Sequence, residues 1–197
     1  LEKEFHELEM FSLLPNLESF NKNDSINDFN EDKEYKLVLT LDDLKSLVNI
    51  LNQSKLVSFD LETTSVKSLE AEIVGIAFSV RANEAFYIPI LYPDDSKRYL
   101  DLKDVLDILK PILESKNIKF VGQNIKYDAL ILKRNNIELK NIYFDTMIAE
   151  SLISPEKNSY KLDYLSKDYL NYTMVPIEEL IGEKANQISM DKVLLKD

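Results

Sequence analysis

The stretch VSFDLETTSV at residues 57–66 restricts this chain more than any other. Side chains alternate along a β-strand, so residues two apart share a face, roughly 6.5–7 Å from each other. Val57, Phe59 and Leu61 then line an apolar face, with Ser58, Asp60 and Glu62 on the opposite one. Such a strand needs a packed layer on one side. On the other it needs surroundings that tolerate two adjacent carboxylates, because like charges beside apolar neighbours repel and resist desolvation. Two arrangements meet that need: the acidic face looks into water, or it holds a divalent cation.

Composition removes most other chemistry. There is no Cys, so disulfides, thiolate nucleophiles and Cys-type zinc sites are excluded, and the single histidine, His6, sits near the start, away from any packed-looking segment. Serine and cysteine triads are excluded with it. The three glycines, Gly75, Gly122 and Gly182, are isolated and form no phosphate-cradling loop. Carboxylates, Tyr, Lys or a metal must do whatever is done here. No signal peptide and no apolar run of membrane-spanning length is present, and the absence of Cys gives a cytoplasmic expectation. Residues 1–35 carry ten acidic and three basic side chains, a net of −7, which leaves −4 of the total −11 for residues 36–197. The body is mildly acidic and lacks the broad basic footprint of a duplex binder, so contact with nucleic acid should be short and local.

At 197 residues the chain can build one real core, or one domain with an extension. It begins at Leu1, which suggests a fragment. Residues 1–20 have apolar residues at helix-like spacing, broken by Pro15, and residues 21–34 are polar and rich in Asn and Asp, as in a linker. The globular part is expected from Tyr35. A strand over 35–40 leads to Thr40, the cap of a helix over 41–52 with Leu44, Leu47, Val48 and Leu51 on one stripe. After the strand at 56–61, residues 72–80 and 85–90 read as an antiparallel hairpin. A helix over 101–115, a strand over 118–121, a helix over 124–135, a strand over 142–144, a helix begun by Asp145 and a helix over 160–170 follow. Meander strands followed by alternating strand and helix imply an α/β fold with a mixed sheet.

VGQNIKYDALIL at 121–132 is a second unusual stretch. Asn124 is a natural N-cap, and Ile125, Ala129 and Leu132 form an inward stripe. Asp128 falls within that stripe, one turn from Asn124. A carboxylate there needs a donor or a cation: either a nearby backbone group satisfies it, or it joins Asp60 and Glu62. A helix leaving the 118–121 strand could lean over the first strand and bring the three together. Carboxylates without His or Cys suit a hard cation such as Mg²⁺ or Mn²⁺.

VSFDLETTSV, VGQNIKYDALIL, NIYFDTMIAESLI and PIEELIGEKANQISM occur in this order. In order and spacing they resemble the 3′–5′ exonuclease domain of the bacterial DNA polymerase I family, the family A polymerases, over about residues 36–197. That domain belongs to the DEDD exonucleases. The resemblance implies an RNase H-like fold, a mixed five-stranded sheet flanked by helices. It further implies that 1–20 ends a preceding 5′-nuclease region, that 21–34 is an interdomain linker, and that 35–197 is the exonuclease domain, incomplete at its C-terminus, with a polymerase domain downstream.

Carried over residue by residue, the resemblance gives Asp60, Glu62 and Asp128 as catalytic, metal-holding carboxylates for two Mg²⁺ or Mn²⁺ ions. Asp60 would touch both ions, Glu62 the first, and Asp128 the second through water. Thr63, Val66, Gln123, Asn124 and Tyr127 would contact a frayed single-stranded DNA 3′ end, with Val66 wedging the terminal base. Asp145 reads as a cap and structural anchor. The implied activity is proofreading hydrolysis during replication and repair, in a monomeric, nucleoid-associated, bacterial cytoplasmic protein. One departure stands out: the family's third motif, Tyr-x-x-x-Asp, should follow NQISM, and the chain stops at Asp197. Tyr164 and Asp168 match it as text but precede IEELIGEKANQ, and Asp168 leaves the Leu162/Leu165/Tyr169 stripe. Weak or no activity is therefore expected of these residues alone. Two alternatives remain: a non-catalytic domain bracing a polymerase, and an RNase D-like RNA 3′ exonuclease.

Overall fold

The computed structural model describes residues 33–93, 100–183 and 186–195. The expected nuclease tail at 1–20 and most of the linker lie outside the described residues. Residues Asp32–Asp197 form a compact unit of their own. The strands are β1 (Glu34–Leu37), β2 (Leu56–Thr63), β3 (Ile73–Arg81), β4 (Glu84–Pro89), β5 (Lys119–Gly122) and β6 (Ile142–Asp145). The helices are α1 (Leu41–Gln53), α2 (Leu102–Leu113), α3 (Ile125–Arg134), α4 (Thr146–Ile153), α5 (Leu162–Leu170) and the short α6 (Ile177–Ile181), followed by a 3₁₀ turn at Met190–Lys192. No described helix is long and apolar enough to cross a membrane.

The sheet is mixed, as expected, but has six strands rather than five, in the order β1-β4-β3-β2-β5-β6. The six correspond to the six strand segments read from the residues, the count of five having come from the resemblance alone; β1, expected over 35–40, pairs parallel to β4 and is exposed along its length. Its pairing satisfies backbone groups that β4 would otherwise present as an open edge. Lys36 of β1 reaches Glu84 of β4 at 2.7 Å, and Arg81 holds the same carboxylate at 2.7 Å. β1 ends at Leu37 rather than Thr40 because the chain must turn into α1. There Thr40 and Asp43 complete a reciprocal capping box, Thr40 Oγ1 accepting from the Asp43 N–H at 3.1 Å.

β2 alternates as its sequence demands: Val57, Phe59 and Leu61 are buried, and Ser58 and Asp60 are exposed. Phe59 packs on Phe78 of β3 at 5.3 Å between centroids and edge-on against Phe120 of β5 at 6.2 Å. Leu44, Leu47 and Leu51 of α1 and Val105, Leu109 and Leu113 of α2 join the same core. Burying each of these side chains contributes about 1.5–3 kcal/mol, which fixes the strand that carries the acidic face.

Candidate active site

The register of β2 shapes a cleft floor. Opposite Asp60 lies Ala77 and opposite Glu62 lies Gly75, with Ser79 opposite Ser58. Directly paired residues share a face, so the acidic side of the strand is flanked by three small side chains. On its other edge β2 pairs with β5 from Leu56↔Lys119 only as far as Ser58↔Val121. Beyond that point the Leu61 N–H donates to Asp128 Oδ1 at 3.3 Å instead of to a strand. A helical carboxylate thus substitutes for a missing ladder partner.

α3 starts where β5 ends. Gly122 permits the close approach: a Cβ there would stand 2.9 Å from the Phe59 carbonyl oxygen. Asn124 turns the chain in the left-handed region, φ 55°, and its side chain makes no capping bond, contrary to the sequence expectation. A side chain at that φ is not directed at the first-turn amides. Asp145 takes over: its Oδ1 accepts from the Asn124 N–H at 3.1 Å and its Oδ2 from the Ile125 N–H at 2.9 Å. Asp145 also caps its own helix, as its place in the sequence indicates. Asp128 is 2% exposed.

The three carboxylates perturb one another. Burial, then the charge of Asp60, pushes the Asp128 carboxyl up to about 8, although its bond from the Leu61 amide opposes the rise. Burial and the charge of Glu62 raise Asp60 to about 7, and burial raises Glu62. Asp60 keeps solvent contact, so its rise reflects protein crowding around the cleft mouth rather than sealing from water. Among the described ion pairs, none brings a Lys or Arg to any of the three. As they stand, no three His, Cys, Asp or Glu among the described residues form a group able to hold a metal ion. The donor chemistry still fits a hard cation: oxygen donors only, crowded like charge, and no Lys or Arg paired with them among the described ion pairs.

The neighbouring residues take distinct positions. The Tyr127 hydroxyl donates to the Ser65 carbonyl in a short hydrogen bond and shares a 2.8 Å bond with Thr63 Oγ1. It ties α3 to the turn that carries Val66, which is 92% exposed. Gln123 is engaged within the fold: its Nε2 donates to the Tyr160 carbonyl at 2.7 Å, and its Oε1 accepts a short bond from Thr146. Asp168 pairs with Lys157 at 2.9 Å, and Lys157 also meets the buried Glu150 at 2.7 Å. Asp168 thus serves the α4–α5 contact through Lys157, while Tyr164 is exposed.

Sequence reading missed the cleft's other wall. A space of about 210 Å³ beside Glu62 is bounded by Tyr87, Tyr92, Leu180, Met190 and Val193, among others. The Tyr87 ring lies over Gly75, where a Cβ would come within 2.0 Å of its hydroxyl oxygen. Burial and the nearby charge of Glu62 push that phenol up to about 12. The signal was the Gly75-x-Ala77-x-Ser79 alternation, which marks a face kept free of bulk. For Met190 and Val193 no strand or helix period was available.

The model of a family described as 3′–5′ exonuclease matches residues 35–195. DNA polymerase I of Borreliella burgdorferi is 33% identical over 187 residues, covering 94% of this chain and 20% of that protein. The chain spans about a fifth of the length of the curated relatives it matches. Among solved structures, Escherichia coli RNase D, an exoribonuclease involved in structured RNA processing, superposes with a TM-score of 0.56 at 18% identity, covering 74% of this chain and 36% of that one. Brucella melitensis NrnC with bound Mg²⁺ gives 0.50 at 15% identity, covering 73% and 63%. These two establish the RNase H-like fold.

Proposed function

The chain belongs to the 3′–5′ exonuclease family found within bacterial DNA polymerase I, and on that premise we propose that its carboxylate cleft removes nucleotides from single-stranded DNA 3′ ends. Such an activity would proofread during replication and repair, between a 5′-nuclease region and a polymerase domain of one cytoplasmic polypeptide. The observation that carries this reading is the convergence on β2: Asp128 meets the backbone between Asp60 and Glu62 with no cationic partner in place.

Asp60 and Glu62 on β2, with Asp128 from α3, would hold two Mg²⁺ or Mn²⁺ ions. When bound, such a pair supplies an activated attacking water and stabilises both oxygens of an in-line displacement at phosphorus. The protein's own part is orientation. β2 fixes two carboxylates on one pleat, and the Leu61 N–H holds the third. The Tyr127–Thr63–Ser65 contacts steady the turn that presents Val66 to an unstacked base, a contact suited to single strands. Thr63, Gln123, Asn124 and Tyr127 form the rim along which the strand would lie. The NrnC structure with Mg²⁺ supports the choice of cation.

The test is Mn²⁺-dependent shortening of a 5′-labelled oligonucleotide, using the longest natural polypeptide that carries residues 35–195. Stepwise loss from the 3′ end of DNA is expected, abolished by Asp60→Ala. Activity unchanged in Asp60→Ala would end the metal assignment. A preference for RNA would favour the RNase D-like alternative, and no cleavage despite bound Mn²⁺ would favour the bracing role.

A further inference from the structure

Asp145 does more than begin a helix. Its carboxylate is buried and accepts four backbone N–H bonds: Oδ1 from Asn124 (3.1 Å), Met147 (2.9 Å) and Ile148 (3.2 Å), and Oδ2 from Ile125 (2.9 Å). The second and third helical amides of α4 and the entry of α3 therefore meet on one side chain. Its position is set by the sheet, since Asp145 pairs with Gly122 in the β5–β6 ladder. Thr146 adds to the same junction through the Gly122 carbonyl, at 3.3 Å.

α3 has no cap of its own, because the Asn124 side chain makes none. Its first turn also carries Tyr127 and Asp128, the two side chains that reach β2. The depth and rotation of that turn decide whether Asp128 meets the Leu61 amide. A 1 Å misplacement of such a group is catalytically costly. From this geometry we infer that Asp145 is a positioning residue of the site: by gripping the Asn124 and Ile125 amides it sets where Asp128 stands relative to Asp60 and Glu62. It touches neither substrate nor metal. This inference rests on the proposed exonuclease reading only for its consequence, not for its geometry.

Two variants separate the roles. Asp145→Ser retains a hydroxyl able to cap α4 but cannot span to α3. Asp145→Asn keeps one acceptor oxygen and places an amide donor against the Ile125 N–H. The primary readout is native-state hydrogen exchange of the Leu61 amide in the metal-free 197-residue chain. Both variants should speed exchange there by roughly five- to tenfold, the loss of about one hydrogen bond, as should Asp128→Ala. The amide of Ile76, in the core strand β3, should be unaffected. The second readout is Mn²⁺ affinity by calorimetry. It should fall by a similar factor in each Asp145 variant, whereas in an Asp128→Ala background the Asp145 changes should cause no further loss, since they act through Asp128. Unchanged exchange at Leu61, or equal acceleration at Ile76, would overturn the positioning role and leave Asp145 a structural cap. Should Leu61 respond while the wild-type chain binds no Mn²⁺, the positioning role stands and the metal reading falls.

Discussion

Replacing Asp128 with Asn tests the electrostatics of the cleft without changing its shape. Asn keeps an oxygen to accept the Leu61 N–H and removes the ionisation. Asp128 stands at about 8 against an ordinary 3.8, because burial and Asp60 disfavour its charged form. Its folded value lies above its unfolded one, so the native state holds the proton more tightly. Native stability from this group is therefore greatest at low pH, declines as pH rises above about 4 and is fully lost above about 8. At ~1.36 kcal/mol per pH unit, a four-unit gap sets a ceiling of about 5–6 kcal/mol. Relaxation of α3 and water at the exposed Asp60 reduce this to roughly 2–3 kcal/mol. The assay is urea unfolding at pH 5, 7 and 9, without metal and with about 1 mM Mn²⁺, which stabilises according to the ratio of its concentration to the Kd of the site. Relative to wild type, Asp128→Asn should gain about 1 kcal/mol between pH 5 and pH 9, the rest of that difference falling between about pH 4 and pH 5. Mn²⁺ should restore the wild type at pH 9 and help the variant less. Parallel pH profiles for the two proteins would refute the reasoning.

Tyr127→Phe removes the hydroxyl that holds Ser65 and Thr63. It should cost about 1 kcal/mol and hasten proteolysis within residues 64–67, leaving α3 intact by circular dichroism; unchanged nicking there would count against the clamp. Gly75→Ala places a Cβ within 2.0 Å of the Tyr87 hydroxyl oxygen. The ring must swing aside, so Tyr87 fluorescence and DNA affinity should both change while the melting temperature moves by only a few degrees; a large collapse would mean that β3 rather than the ring yields. Thr40→Ala breaks the capping box of α1 and should lower stability by about 1 kcal/mol with no effect on Mn²⁺ affinity.

Much of this was legible in the sequence because two periodicities are so plain. The alternation around Phe59 fixed which side of β2 meets the core, and Asp128 stood out only because the 3.6-residue stripe put a charge among Ile125, Ile131 and Leu132. Thr40 and Asp145 announced helix starts through cap chemistry. What stayed hidden depends on non-local pairing. β1 is exposed throughout, so although residues 35–40 read as a strand, no hydrophobic pattern could place it on the β4 edge. Asn124 has the right residue type for a cap, but its left-handed backbone handed that task to a carboxylate twenty-one positions away. Tyr87 looked like any strand aromatic until the register set it over a glycine.

The sheet changes character at β2, which pairs antiparallel with β3 and parallel with β5. β2, β5 and β6 run parallel, so their carboxyl ends lie together. Crevices beyond such ends, where the connection pattern changes, are where open α/β sheets bind ligands. Here that end gathers Asp60, Glu62, the entry of α3 and Asp145. A helix N-terminus often attracts phosphate through its free amides, but the Asn124 and Ile125 amides are committed to Asp145. With three carboxylates beside them and no Lys or Arg paired to them among the described ion pairs, the ionised cleft would repel a phosphodiester unless a dication entered. Binding of a short oligothymidylate with a non-cleavable phosphorothioate 3′ end should accordingly rise about tenfold or more with Mn²⁺, a modest share of the Coulomb energy at stake. Fluorescence anisotropy at fixed ionic strength measures it, and Asp60→Ala should abolish the increment. Equal affinity in EDTA and in Mn²⁺ would mean that the strand is held elsewhere on the protein, and that the acidic face of β2 does not receive the scissile phosphate.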